Sequence, residues 1–144
     1  MTTPEAAPAE SGITALQRAL AAEHAAVYGY GVVGAMLSGA EQTAARADWI
    51  AHQEARDTLE TMLGKLGATP VGASPAYQLP FAVTDAATAR KLAVTLEDGV
   101  TQAYLAVVAV PDGTLRSFGA LAMQPPAGRA AAWRGSTIAF PGFS

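Results

Sequence analysis

The chain has 144 residues, 51% of them hydrophobic and 15% charged, with no cysteine and a formal net charge of −3. That length suffices for one domain with a buried core, and the composition is not that of a disordered chain. Disulfides, thiolate metal sites and cysteine nucleophiles are excluded, and the acidic balance gives no general basic field for nucleic acid.

Residues 1–12 are rich in Ala, Pro and Glu and read as a flexible tail ahead of a single domain over 13–144. The start lacks the basic and apolar segments of a signal peptide, and no uncharged apolar run could span a bilayer. A cytoplasmic protein without a membrane partner is expected. Ser11 or Thr14 is the expected cap of the first helix. Its stripe is Leu16, Leu20, Glu23, Val27, Tyr30, Gly34 and Leu37, at alternating steps of four and three, and Ser38-Gly39 ends it.

The second helix starts near Ala40 or Glu41 and carries Ala45, Trp49, His52, Arg56, Leu59, Leu63 and Leu66 at the same steps. So short a connection makes helices one and two antiparallel neighbours. Residues 67–84 hold Pro70, Pro75 and Pro80 and cannot be helical. Extended at about 3.3 Å per residue they reach roughly 55 Å, against about 37 Å for a helix of some 25 residues. The segment can therefore cross the full length of a bundle, so that helix three runs parallel to helix two.

Thr84-Asp85 caps a third helix that reaches about Val110, with Leu92, Ala93, Leu96, Val100, Ala103, Leu105 and Val107 on its apolar face. Pro111-Asp112-Gly113 is a turn. A poorer fourth helix runs from Thr114 towards Met123, Pro125-Pro126 interrupts it, and a helical piece over 127–133 follows. Ile138, Phe140 and Phe143 of the closing segment are expected to dock on the bundle. The fold class is all-α, an antiparallel four-helix bundle with a long crossover between helices two and three and a broken helix four.

Two octets organise this bundle: 23–30 and 97–104 each begin with Glu and end with Tyr. Folding helix two back near Gly39 brings Glu23 level with Ala55, between His52 and Arg56. The pattern predicts a central polar layer of Glu23, His52, Arg56 and Glu97, with Tyr30 and Tyr104 about two turns, roughly 10 Å, along their own helices. On the leading reading the layer is structural: Arg56 is the permanent cation that pairs a buried carboxylate, and Arg56→Leu costs about 3–5 kcal/mol. On the alternative, Glu23, His52 and Glu97 bind one divalent metal ion. A third possibility is a small-molecule pocket under the crossover, near Tyr77 and Phe81.

His24 is turned about 100° from Glu23 and is expected at the boundary or surface. Gly29, Gly31 and Gly34 are expected to permit close helix approach, a dimer face or room for a ligand. Trp49 and Trp133 are expected in the core or at its rim, and Arg129 and Arg134 on a solvated face. No Gly-rich phosphate loop, paired acid/base motif or serine-nucleophile motif is present.

With these features the chain resembles the ferritin-like superfamily, and more narrowly a bacterial ferritin-like domain family of unknown function. The resemblance rests on residues 23–31, on His52 with Arg56-Asp57, and on Leu79-Pro80-Phe81. It continues through 96–100, Trp133-Arg134-Gly135 and Phe140-Pro141-Gly142. It implies a fold and no reaction. Ferritin-like di-iron sites take one Glu from each of two helices and Glu-x-x-His from each of the others. Here Glu23 and Glu97 match the lone glutamates, but Trp49 stands where the carboxylate paired with His52 would be. Residues 114–134 hold no Glu, Asp or His. The expected function is a non-redox binding or assembly protein with no cofactor, the alternative being the single-metal protein. Self-association as a homodimer is compatible with the fold.

Overall fold

A computed structural model describes residues 8–135, with side chains from residue 12 onward. Five helices are present in these residues: α1 (Pro8–Ala35), α2 (Gly39–Lys65), α3 (Ala86–Val108), α4 (Gly113–Ala122) and α5 (Gln124–Arg134). They form a four-armed bundle in which α4 and α5 share the fourth arm. No helix among the described residues is long and apolar enough to cross a membrane. Helix α1 begins at Pro8, ahead of the expected caps at Ser11 and Thr14, so the helical structure extends into the segment read as tail. The expected docking of Ile138, Phe140 and Phe143 lies outside the described residues.

Gly39 turns the chain between α1 and α2 with φ +61°, a left-handed conformation that strains any residue with a Cβ. Pairing of Glu23 with His52 and of Tyr30 with Asp48 makes these helices antiparallel. Tyr30 meets Glu97 and Tyr104 meets Glu23, which sets α3 antiparallel to α1 and hence parallel to α2. Asp85 caps α3 through a reciprocal capping box with Thr88.

The crossover reaches α3 by running along α1. Gln17 donates to the Thr69 carbonyl and accepts from the Val71 N–H, both at 2.8 Å. His24 is buried rather than at the surface, with Nε2 2.9 Å from the Val71 carbonyl. Tyr77 packs on Tyr28 with ring centroids 5.4 Å apart, and Leu79, Phe81 and Val83 close on the core.

Pro125 and Pro126 interrupt the hydrogen bonding of the fourth arm without diverting its path. They lie in the first turn of α5, where a missing N–H costs little. Met123 keeps right-handed helical angles (φ −74°, ψ −22°) as the last cap of α4 and the first of α5. The bundle is not opened there, and both α4 and α5 pack on α3.

Two apolar cores result. One gathers Leu16, Leu20, Leu59, Leu63, Val107 and Leu115, and the other Val33, Leu37, Ala45, Ala89, Leu92 and Ala93. Each of the fully buried leucines contributes about 1.5–3 kcal/mol by leaving water. Between the cores lies a polar layer.

Candidate functional site

The layer is built from the buried stripe of each helix. Glu23 from α1, His52 from α2 and Glu97 from α3 are all essentially inaccessible to solvent. His52 sits between the acids, with Nδ1 2.5 Å from Glu23 Oε2 and Nε2 2.8 Å from Glu97 Oε1. A carboxylate only accepts, so a ring facing one on each side donates from both nitrogens and is an imidazolium. Burial alone pulls the His52 pKa down, but hydrogen bonds and charge from Glu23 and Glu97 outweigh it and push it up to about 9.

The tyrosines cross over. Tyr104 donates to Glu23 Oε1 at 2.7 Å, and Tyr30 donates to Glu97 Oε1 at 2.6 Å while lying over the His52 ring at 5.2 Å between centroids. Burial and the adjacent carboxylates hold both hydroxyls protonated far above the ordinary range. In an antiparallel pair of helices, each octet's Glu falls level with the other's Tyr. They are therefore members of one layer rather than residues two turns away from it.

The guanidinium of the layer comes from Arg129 on α5, whose Nε donates to Glu97 Oε1 at 2.9 Å. Arg56 is not part of it. Its side chain is 28% exposed and pairs with Asp57 at 2.9 Å and Glu60 at 4.0 Å on the outer face of α2. Chain reflection through the turn fixes the height of a residue, not its direction, and a long arginine stem on a boundary position reaches solvent. Arg129 and Arg134, expected on a solvated face, are instead mostly buried and paired with Glu97 and Asp98; two prolines in a weakly patterned segment leave no stripe from which to place them. Charge counting offered a signal: two buried carboxylates and one imidazolium call for a second cation.

Asp48 and Trp133 extend the layer outward. The Trp133 indole donates to Asp48 Oδ2 at 2.8 Å, and burial raises the Asp48 carboxyl above its usual range against the opposing effect of that bond. Arg134 binds Asp98 at 2.6 Å. One buried oxygen, Glu97 Oε2, has no hydrogen-bond partner among the described residues.

This arrangement does not fit a di-iron centre. Both His52 nitrogens point protons at carboxylates, and the Arg129 charge stands against the oxygen a metal would need. Among the described residues no group of three or more His, Asp or Glu is arranged to hold a metal ion.

A family model described as a domain of unknown function, DUF4439, matches residues 15–144. The fold is similar to the crystal structure of a conserved hypothetical protein from Mycobacterium tuberculosis. The two share 35% sequence identity over 88% of this chain and 96% of that one, with a TM-score of 0.84. No curated protein matches. The chain belongs to the DUF4439 family.

Proposed function

We propose that this member of the DUF4439 family is a non-redox binding protein on a ferritin-like bundle, with a structural Glu23–His52–Glu97–Arg129 layer. The observation that carries the reading is the His52 ring, engaged at both nitrogens by buried carboxylates. A histidine in that state has no lone pair for a metal, and its positive charge does what a cation would otherwise do between two acids. The layer holds three helices and the fourth arm in one alignment, and binding is left to the surfaces around it.

The test is elemental analysis of untagged protein purified without chelator, before and after incubation with iron, manganese and zinc. The expected result is trace metal that is unchanged in His52→Ala. Near-stoichiometric metal that disappears in Glu23→Ala and His52→Ala would overturn the reading. The second reading, one divalent ion held by Glu23, His52 and Glu97, is favoured by the unpartnered Glu97 Oε2. It requires His52 to lose one proton and release the carboxylate on that nitrogen, so metal uptake would rise with pH.

A further inference from the structure

The second arm packs far less closely on the fourth than it does on α1, or than the fourth does on α3. Their separation leaves a cleft of about 530 Å³, lined by Ala44 and Asp48 of α2, Arg90 of α3, and Arg129, Ala132 and Trp133 of α5. That volume is typical of small-molecule sites. By area its walls are mostly apolar, from the alanines and the indole, and Glu41 and Arg134 line it beside Asp48, Arg90 and Arg129.

Arg129 is the group of interest there. Glu97 holds its Nε and so fixes the plane of the guanidinium. No residue among those described accepts a hydrogen bond from its two terminal nitrogens. Arg90 differs, since Glu41 engages it twice, at 2.5 and 3.1 Å. Trp133 is fixed in turn by its indole bond to Asp48. An oriented guanidinium fork beside an immobilised aromatic wall presents two parallel donors and an apolar face together.

We infer that this cleft binds a small organic monocarboxylate with an apolar body, its carboxylate on the Arg129 fork and its body against Trp133 and the alanines. The charge balance favours a monoanion over a dianion. Glu41 and Asp98 already engage Arg90 and Arg134, so the terminal nitrogens of Arg129 alone are left to meet an anion, enough for one carboxylate and too few for a phosphate dianion.

This inference rests on the binding reading above and names its ligand class. The test titrates the full chain with phenylacetate, 2-phenylethanol and inorganic phosphate, following the indole N–H resonances of Trp133 and Trp49. Saturable movement of the Trp133 signal with phenylacetate alone, Trp49 staying still, is expected. Arg129→Gln should weaken binding by about 10–100-fold, the effect of losing a charge-assisted bond. Because that variant also touches the layer, Ala132→Phe serves beside it. It fills the cleft from an exposed position, and should abolish binding while leaving the melting temperature within a few degrees. Absence of phenylacetate binding, equal binding of the alcohol or phosphate, or undiminished binding by Ala132→Phe would overturn the assignment. Metal analysis of the same sample separates the two failures. Metal-free, folded protein that ignores phenylacetate sinks the cleft alone, whereas stoichiometric metal lost with His52 sinks the structural reading of the layer.

Discussion

Arg129 and Arg56 carry the same charge on neighbouring arms, yet their removal should have very different effects. Arg129→Leu leaves Glu97, which has no solvent exposure, short of its permanent cation and should destabilise by about 3 kcal/mol. Arg56→Leu breaks a pair whose partner Asp57 is 66% exposed and should change stability by no more than about 0.5 kcal/mol. Urea unfolding of both variants, with slopes compared to confirm that only the midpoint moves, is the measurement. A larger loss in the Arg56 variant would contradict the layer as described. At this scale Glu23, His52 and Glu97 were legible, because a charged or polar residue on an otherwise apolar four-three stripe has to be buried. The fourth member was not, because periodicity assigns a residue to a face of its own helix and says nothing of how another helix is rotated against it.

At the scale of the helices, the glycines separate into two kinds. A Cβ on Gly119 would lie 3.0 Å from the Tyr104 carbonyl oxygen, the Val107 Cβ and the Val108 nitrogen, mostly rigid atoms of α3. A Cβ on Gly29 would strike the Leu96 side chain, at 2.5 Å from Cδ1. On Gly31 or Gly34 it would meet nothing within 4 Å, since both border an open groove of about 480 Å³ between α1 and α2. Close approach therefore explains Gly119 and Gly29 but not the other two. Gly119→Ala should destabilise by about 1–3 kcal/mol by forcing α3 and α4 apart. Gly31→Ala should instead stabilise by about 0.5–1 kcal/mol through helix propensity. Thermal denaturation of the two variants decides it, and a stabilised Gly119→Ala would show that α4 packs more loosely than described. The helices themselves were largely readable, down to the Asp85 cap. The continuity of α4 into α5 was not, because a proline pair is both a helix breaker in mid-helix and a benign first turn, and only the backbone at Met123 distinguishes them.

Across the whole molecule, one buried proton couples folding to pH. The His52 pKa is about 9 in the fold against 6.5 for the free side chain. A raised pKa contributes stability that is fully present below the lower value and lost as pH rises through the upper one. Unfolding free energy should therefore fall by about 3 kcal/mol between pH 6.5 and about 9. Urea midpoints over that range measure it, and His52→Gln should flatten the profile; a wild-type midpoint that does not move would exclude the bridging imidazolium. The crossover route followed from arithmetic on chain length. The gap between the second and fourth arms did not, because it depends on how far apart side chains such as Trp133 and Asp48 prop the backbones. The crossed tyrosines have a mechanical consequence as well. Both hydroxyls seat on opposite carboxylates at a single alignment of α1 against α3. A slide of one helix along the other by a turn, about 5.4 Å, would unseat both at once in a dry interior. Two such dowels make the pair resist sliding and move as one plank.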